Sequence, residues 1–359
     1  KHAVTARRGV IMNAVVERAL ECLPLPDPAL LDAAREDAAT KARHDSLAAE
    51  IAALDAVEYR PPLADHRLEN TLRLAAWNAE RLKFGADSAA LFSALAPDIV
   101  LLTEVDIGMA RSGNRHTAAE LAVALGMGYA YGIEFVELGL GDAREEERHA
   151  GQRNSAGFHG NAILSRYPLN DFALIRLDSG GRWFGERPDL TKGPAQRRIG
   201  GRMALAARVA ESELVVVTVH LESDSTALDR AAQTERLLAA LQRRYGEVPM
   251  VIGGDCNTAA FPAGDAQRAS LTPDWAARCD VLEPMFGALA EHGVAWADAN
   301  DMAPTQRQRP DGMPKPPFRR LDWLFTRDLE ASEARTVAAV DDRESAISDH
   351  DALVVDLAL

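Results

Sequence analysis

"AISDHDALVVDLAL", residues 346–359, ends the chain, with a polar Ser-Asp-His-Asp run directly before an alternating apolar stretch. The alternation predicts a half-buried β-strand, and the polar run places Asp349, His350 and Asp351 where that strand begins. A turn explains such a run equally well, because Ser and Asp side chains hydrogen-bond their own backbone nearby. The run points to chemistry only if other predicted strands also end in ionisable side chains.

Length and composition are those of a globular protein. The chain has 359 residues, of which 47% are hydrophobic, enough for one large domain or two ordinary ones. No stretch approaches the roughly 18 apolar residues of a membrane span, and the first residues lack the apolar core and cleavage site of a signal peptide. We therefore expect a cytoplasmic protein. The widely separated Cys22, Cys256 and Cys279 predict free thiols rather than a disulfide framework or a zinc cluster.

Charge is unevenly distributed along the chain. The formal net charge of −14 counts against a protein that grips long nucleic acid, because such binding depends on neutralising phosphates. Two long segments without periodicity, 178–202 and 300–320, are nevertheless basic, and such loops are usually functional or disordered. They carry Arg182, Arg187, Lys192, Arg197, Arg198, Arg202, Arg307, Arg309, Lys315, Arg319 and Arg320. These residues either clamp an anionic group or belong to solvated loops. We interpret the charged run 142–149 as a solvated face without function.

The apolar pattern predicts a helical extension followed by one mixed domain. Residues 28–57 are rich in Ala, Leu and Glu at helical spacing, and two prolines follow at positions 61 and 62. We assign residues 1–65 to a helical extension packed on the main domain, with a mobile tail as the alternative. Residues 66–359 contain many short strand-like runs with helical segments between them, without regular βαβα alternation. This pattern favours stacked mixed sheets flanked by helices over a barrel.

Several predicted strands have polar side chains at one end. Each is ordinary by itself, but rigid elements can hold such groups in one cluster. Buried charges are costly unless they are paired or bound to metal, and converging carboxylates with Asn and His partners favour a hard cation such as Mg²⁺. The residues at these strand ends are Asn78, Glu80, Glu104, His220, Asp255, Asn257, Asp322, Asp349 and His350.

Seven motifs occur in order between residues 71 and 359. They are "AWNAE", "LLTEVD", "GNAILSRYPL", "TVHLES", "GGDCNT", "LDWLF" and "SDHDAL". In this order they resemble the endonuclease/exonuclease/phosphatase superfamily, whose fold is that of deoxyribonuclease I. The resemblance implies an α/β (α+β) fold, namely a four-layer α/β/β/α sandwich of two mixed sheets flanked by helices. Residues 1–65 lie outside the resemblance, so the catalytic domain is expected at 66–359.

The resemblance also implies a hydrolase of phosphoester bonds that uses Mg²⁺, for which Mn²⁺ can substitute. It makes Glu104 the main metal ligand, with Asn78 and Asp349 completing or supporting the shell. Asp255 is expected to orient and deprotonate the attacking water. Asn257 is expected to assist it and to contact the phosphate.

Two histidines complete the expected catalytic set. By analogy with the family, His220 and His350 hold phosphate oxygens or protonate the leaving group, and which of them is the acid stays open. Asp349 is expected to accept a hydrogen bond from His350 and so to fix its tautomer. Asp322 is expected to orient one of the two histidines. Asp351 is given no catalytic role.

Substrate preference is less clearly encoded. Arg111 and Asn114 follow Glu104 closely, and with Arg198 of the first basic loop they are our candidate substrate ligands. Trp183 and Phe184 either stack on a leaving group or anchor their loop in the core, and we favour anchoring. The leading hypothesis is a phosphoesterase acting on a small anionic phosphodiester or phosphomonoester. A nuclease is the alternative, a non-catalytic binding protein is a third reading, and no stable membrane association is expected.

Overall fold

Two mixed β-sheets form the centre of the molecule. The computed structural model describes residues 15–64, 66–185, 196–261 and 279–359. Within them, sheet A contains, in spatial order, β1 (Val15–Val16), β8 (Leu169–Arg176), β10 (Met203–Val209), β11 (Val215–His220), β12 (Met250–Asp255) and β13 (Asp322–Arg327). Sheet B contains β14 (Glu330–Val337), β15 (Ala352–Ala358), β4 (Thr71–Arg81), β5 (Ile99–Ile107), β7 (Phe158–Ser165), β6 (Gly128–Glu137), β3 (Val57–Arg60) and β2 (Ala19–Leu20), and β9 (Arg198–Gly200) pairs with β6.

Helices cover the outer face of each sheet. The described residues form α1 (Pro28–Glu36), α2 (Lys41–Glu50), α3 (Gly85–Leu95), α4 (Thr117–Leu125), α5 (Ala143–Arg148), α6 (Ala227–Tyr245) and α7 (Met285–Glu291). The long helix α6 begins at a capping box of Thr226 and Asp229, which satisfies backbone N–H groups that a helix leaves open at its start. Helix α4 ends at Gly126 in the left-handed conformation, which glycine adopts without the steric penalty of a side chain.

Alternate residues of the central strands pack into different layers. In β4, Leu74 and Ala76 lie in the apolar cluster between the sheets, which also contains Val216 and Val251 of sheet A. Their neighbour Trp77 instead packs in the cluster beneath α2, α3 and α4. A third cluster joins sheet A to α6 and α7. Because successive strand residues point to opposite faces, this pattern gives four layers, and the predicted α/β/β/α sandwich is confirmed.

The segment before residue 65 is part of both sheets. It contains helices in the region where the sequence predicts them, but it also contributes strands too short for periodicity to reveal. Strand β1 pairs with β8 in sheet A, and β3 pairs with β6 in sheet B. Leu47, Ile51 and Leu54 lie in the same core cluster as Trp77. The segment is therefore mixed rather than purely helical, and the domain boundary at residue 65 stays a prediction.

Two further expectations concern the cysteines and the membrane. Cys22 is exposed, Cys256 and Cys279 are buried, and none of the three forms a disulfide bond, as their spacing predicts. Among the described residues, no helix combines the length and the apolar character that crossing a bilayer requires.

If the N-terminal segment is part of the core, truncating one of its buried side chains should destabilise the whole protein. Leu47 on α2 has no exposed surface, whereas Leu25 in the same segment is 68% exposed. Leu47→Ala should lower the free energy of unfolding by about 2–5 kcal/mol, whereas Leu25→Ala should change it by less than about 0.5 kcal/mol. Chemical denaturation followed by tryptophan fluorescence measures both. Equal, small effects would show that the segment is not part of the cooperative core.

Candidate active site

Three polar residues of sheet A form one row at its edge. In the strand register, His220 at the end of β11 lies opposite Asp255 at the end of β12, and Asp255 lies opposite Asp322 at the start of β13. Directly paired residues of neighbouring strands have side chains within contact distance. The pairing of strands thus places an imidazole and two carboxylates side by side.

Sheet B supplies a second group through irregular backbone. Strands β4 and β5 are parallel, and their register shifts between Asn78 and Arg81, which lie opposite Thr103 and Val105. Glu104 lies within that shift with a φ of 54°, and Glu80, Arg81 and Leu82 also have positive φ. Such bulges re-aim side chains at a sheet edge. Here they break the alternation of β4 and β5 where Asn78 and Glu104 stand.

One hydrogen bond joins the two groups across the sandwich. Asn78 donates from Nδ2 to Oδ2 of Asp255 at 3.0 Å, and both residues are almost fully buried. The final loop is fixed to the same strand, because Ser348 Oγ donates to the Asn78 carbonyl at 2.8 Å. The Trp77 indole N–H also donates to the carbonyl of His350 at 2.8 Å. The polar run of residues 348–350 is thereby held against the end of β4.

His350 lies between two carboxylates. Its Nδ1 is 2.7 Å from Oδ2 of Asp322, and its Nε2 is 3.9 Å from Oδ2 of Asp255. Burial lowers the pKa of His350, but Asp322 and Asp255 outweigh burial and hold that pKa well above its usual value. The prediction that Asp349 fixes this ring is wrong. Asp322 does so, as the residue directly opposite Asp255 in the register.

Asp255 is the centre of the cluster. Besides Asn78, it accepts a hydrogen bond from the backbone N–H of Asn257 at 2.8 Å, and it lies 3.6 Å from Nε2 of His220. Burial is the largest cause that raises the pKa of Asp255, and the neighbouring Asp322 charge adds to it. The Asn257 amide itself donates to the Leu221 carbonyl at 3.0 Å.

The other ring nitrogen of His220 meets groups that the sequence did not reveal. Nδ1 is 3.2 Å from Glu134, and the Arg202 guanidinium approaches the ring to 2.9 Å. Arg202 also pairs with Glu134 and Glu222 at 2.9 and 3.2 Å. The signal for Glu134 is a charged residue inside an apolar strand, which requires a partner when buried.

The carboxylate of Glu104 forms an ion pair with the Arg81 side chain. The pair is made through Arg81 Nη1, and Arg81 Nε is 3.3 Å from Glu145 on α5. Burial raises the pKa of Glu104, but the Arg81 charge and nearby histidines reverse this and hold that pKa well below its usual value. Glu145 is buried and also contacts Lys83 and Arg111. The interpretation of residues 142–149 as a solvated face is therefore wrong for Glu145.

Asp349 lies beside two other acidic groups. Arg309 Nη1 contacts Asp349 Oδ2 at 3.2 Å and Glu80 Oε1 at 3.0 Å, and the Asp349 backbone N–H donates to Glu80 Oε2 at 3.2 Å. Burial, together with the charges of Glu80 and Glu104, raises the pKa of Asp349 to about 6, although His350 and Arg309 oppose this. Asp351 instead pairs with Arg307 and accepts the Ala339 N–H at 3.0 Å.

Two of the three candidate substrate ligands do not face the site as expected. The Arg111 side chain has no exposed surface and binds Asp106 through two contacts of 2.9 Å, so its predicted contact with substrate is wrong. The predicted contact of Arg198 with substrate is wrong for the same reason. The Arg198 side chain is buried and pairs with Glu137 at 2.9 Å. Asn114 is exposed, but its amide bonds the backbone of Arg153 and Ser155.

Much of the basic charge in the two loops is used inside the fold. Arg197 donates to backbone carbonyls and lies over the Phe184 ring, and Arg320 is buried against Trp323. Phe184 and Trp183 are both buried, which confirms that they anchor their loop. Arg187 and Lys192 lie outside the described residues.

The structure offers two places for a cation. Among the described residues, the tightest group of ligand atoms is that of Asp255, Asp322 and His350, all within 4.8 Å of one another. The predicted set consists of Asn78 on β4, Glu104 on β5 and Asp349 in the loop before β15. Oδ1 of Asp322 is buried without a hydrogen-bond partner, whereas its Oδ2 already pairs with His350 at 2.7 Å.

Comparison with known proteins agrees with the fold and the motifs. The chain matches the Endonuclease/Exonuclease/phosphatase family over residues 35–350, so it belongs to that family. Endonucleases, exonucleases and phosphatases hydrolyse phosphoester bonds, and enzymes of this family generally use divalent metal ions.

Two solved structures with TM-scores above 0.5 have a similar fold, and a third is similar at a lower score. An endonuclease/exonuclease/phosphatase from Beutenbergia cavernae has a TM-score of 0.53 at 23% identity, covering 81% of this chain and 72% of that one. A conserved protein of unknown function from Enterococcus faecalis has a TM-score of 0.51 at 13% identity, covering 80% and 99%. A 3′ phosphatase from Neisseria bound to a product DNA hairpin has a TM-score of 0.47 at 18% identity, covering 79% and 98%. Comparison with curated protein sequences gives no match.

The ion pair between Arg202 and Glu222, next to His220, predicts how the stability of the protein depends on pH. Burial raises the pKa of Glu222, but Arg202 and hydrogen bonds from Asp224 and Trp183 lower it to about 2. A lowered folded-state pKa stabilises the protein above the unfolded value, roughly pH 4.3, and this stabilisation is lost as pH falls toward about 2.

Glu222→Gln should therefore reduce the free energy of unfolding at pH 7 by an amount on the order of 3 kcal/mol. The difference from wild type should shrink between about pH 5 and pH 2. Denaturation at several pH values measures this, with Glu213→Gln as control because the Glu213 side chain is 74% exposed. A difference that does not depend on pH would contradict the assigned pairing.

Proposed function

We propose that this protein is a divalent-metal-dependent phosphoesterase that hydrolyses a small anionic phosphodiester or phosphomonoester. The observation that supports it is the convergence of two histidines, two asparagines and Asp322 on the buried Asp255 carboxylate. Attack on a phosphoester requires a group that accepts the proton of water and positive charge beside the phosphoryl oxygens. The cluster offers both within one edge of the sandwich.

Asp255 is the proposed general base. A base works best when its pKa approaches the working pH, and burial and Asp322 raise the pKa of this carboxyl. The Asn78 amide and the Asn257 backbone N–H hold the two carboxylate oxygens. Water placed against Asp255 would thus lose its proton to a group of fixed orientation.

His350 is the proposed donor to the phosphoryl group. Asp322 and Asp255 raise its pKa well above the usual value, which favours the protonated ring, and Asp322 orients the ring as a positioning residue through Nδ1. This leaves Nε2 free to donate to a phosphoryl oxygen or to the leaving oxygen. His220, on the other side of Asp255, is placed to contact a second phosphoryl oxygen.

The residues near Glu104 fit a hard cation. Carboxylate and amide oxygens are the ligands that Mg²⁺ and Mn²⁺ prefer, and Glu104, Asp349 and the Asn78 amide supply them. The group of Asp255, Asp322 and His350 fits less well, because His350 Nδ1 and Asp322 Oδ2 already pair with each other at 2.7 Å. When bound at Glu104, a divalent cation would act as a Lewis acid on the phosphoryl group.

A nuclease of the same family remains the second candidate. The basic loops favoured it at the level of sequence, but several of their arginines pair within the fold, which leaves less charge for a phosphate backbone. The net charge of −14 also opposes it. Plasmid nicking and oligonucleotide cleavage at low salt distinguish the two, and efficient cleavage would make the nuclease the better description.

The proposed function is tested with simple chromogenic esters. The purified protein should hydrolyse bis-p-nitrophenyl phosphate or p-nitrophenyl phosphate with Mg²⁺ or Mn²⁺, and excess EDTA should abolish the activity. Release of p-nitrophenolate measures the rate, and added metal after EDTA should restore it. Equal rates with and without chelator would contradict metal dependence.

Arg81 predicts how tightly the cation binds. Because its guanidinium pairs with Glu104, it competes with a cation for the same carboxylate, while Glu145 holds Arg81 from the other side. Arg81→Met should strengthen Mn²⁺ binding by roughly tenfold, and Glu145→Gln should weaken it, because each removes a charge close to the site. Electron paramagnetic resonance of free Mn²⁺ measures affinity without substrate.

The control for charge alone is Glu147→Gln, which makes the same change on an exposed position of α5. It should leave Mn²⁺ affinity unchanged. If Arg81→Met binds Mn²⁺ no better than wild type, the cation does not use the carboxylate of Glu104.

A further inference from the structure

A short stretch of the second basic loop, residues 300–320, pairs with the loop that carries His350. Gln306 and His350 form an isolated antiparallel bridge. Two backbone hydrogen bonds flank this bridge, one from the Arg307 N–H to the Asp349 carbonyl at 2.8 Å and one of 2.7 Å between the residues on its other side. Because these bonds flank the pair and do not join it, Gln306 and His350 form a non-hydrogen-bonded antiparallel pair.

This pairing determines where the Gln306 side chain lies. In a non-hydrogen-bonded pair the two Cα atoms are about 4.5 Å apart, and both side chains project from the same face. The His350 ring projects toward Asp255 and Asp322. The Gln306 side chain therefore lies next to that ring, on the face turned toward the proposed catalytic edge.

A second contact orients the amide of Gln306. Its Oε1 accepts a hydrogen bond from the Arg319 N–H at 3.0 Å, and the Gln306 N–H donates to the Arg319 carbonyl at 3.0 Å. Arg319 in turn donates to the Ala259 carbonyl at 2.9 Å, in the loop that follows Asp255. Because the amide oxygen is already bonded, the group that faces a ligand is the NH₂ group, which is a donor only.

The NH₂ group of Gln306 is not used inside the fold. Within the described ranges Nε2 makes no hydrogen bond, and the residue is partly exposed. Charged residues of the same loop differ in this respect. Arg307 pairs with Asp351 at 3.0 Å. Arg309 pairs with Asp349 at 3.2 Å. A neutral amide is drawn less strongly into such pairs than a guanidinium, so its N–H groups stay available.

The carboxylates next to His350 do not take up this donor. Oδ2 of Asp322 pairs with the His350 ring at 2.7 Å, and Oδ1 of Asp322 is buried without a partner. Asp255 accepts hydrogen bonds from Asn78 and from one backbone N–H. Both carboxylates repel an anionic substrate, so each donor beside them helps to hold a phosphoryl group. An acceptor that contacts His350 is therefore the group that the Gln306 amide can meet.

We propose that Gln306 is a substrate-binding residue, whose Nε2–H donates to a phosphoryl oxygen next to the one that His350 contacts. The inference rests on the proposed function and deepens it, because it adds a contact to the phosphoryl group at the same site. It gives the second basic loop a role that depends on a neutral amide and not on its arginines.

Steady-state hydrolysis by the full chain tests this contact, with the chromogenic phosphoester that the wild type hydrolyses. Gln306→Glu keeps an oxygen for the Arg319 N–H but replaces the NH₂ donor with an acceptor. It should lower kcat/KM by about 10- to 100-fold, the factor that a hydrogen bond to a charged group contributes. Gln306→Met removes donor and acceptor without adding charge, and it should lower kcat/KM by about tenfold.

The matched control for charge is Gln308→Glu. It makes the same change two residues further along the loop, on an exposed side chain whose amide donates to the Gly312 carbonyl. It should leave kcat/KM close to the wild-type value. Isothermal titration of inorganic phosphate gives a readout that a purely structural role would not change. The dissociation constant should rise in Gln306→Glu by the same factor as kcat/KM falls, while the free energy of unfolding stays that of wild type.

An unchanged kcat/KM in Gln306→Glu, or phosphate affinity equal to that of wild type, would overturn the contact. These outcomes are separable from the proposed function. Hydrolysis that does not depend on Gln306 retains the function and removes the contact. Phosphate binding that depends on Gln306, in a protein that hydrolyses no phosphoester, would contradict the function and support the contact.

Discussion

The hydrogen bond from Asn78 to Asp255 is the constraint on which the rest of the site depends. The two residues belong to different sheets, and each sheet by itself brings together only half of the polar groups. Sheet A aligns His220, Asp255 and Asp322 through its strand register, whereas sheet B presents Glu104 beside Asn78. The bond at 3.0 Å fixes the proposed base relative to the proposed cation site. The packing of the inter-sheet core therefore sets the geometry of the chemistry.

The charges around this bond are compensated in pairs. Arg81 accompanies Glu104, and His350 accompanies Asp322. Isolated buried charges carry a desolvation penalty of several kcal/mol each, so these partners allow a polar cluster inside a folded protein. The same pairing links the site to its surroundings, because Arg81 also contacts Glu145. A change in the charge of Glu104, Arg81 or Glu145 therefore alters the electrostatic energy of the other two.

The sequence reveals the strand-end residues because strand periodicity and motif order determine where His220, Asp255 and Asp322 stand. It does not reveal which carboxylate faces His350, since Asp349 is its neighbour in sequence and Asp322 is its neighbour in space. The sequence does not reveal the burial of Arg111 either. Its partner Asp106 is close in sequence, but the burial of the Arg111 side chain depends on how the surrounding elements pack. Helix α5 has six residues, too few for a periodicity that would show Glu145 pointing inward. Strands β1 and β2 have two residues each, which is too short for an alternating pattern that would predict a strand from the sequence.

In the proposed reaction, Asp255 accepts the proton of water while Glu104 holds the cation. The most direct measurement is turnover against Mg²⁺ concentration for Asp255→Asn and Glu104→Gln. Loss of a general base alone lowers turnover by about 10²–10⁴-fold, and added metal does not restore it. Loss of a ligand weakens metal binding, so mass action at high Mg²⁺ restores part of the rate. We expect recovery with Mg²⁺ for Glu104→Gln and none for Asp255→Asn, and the opposite pattern would show that the two roles are reversed.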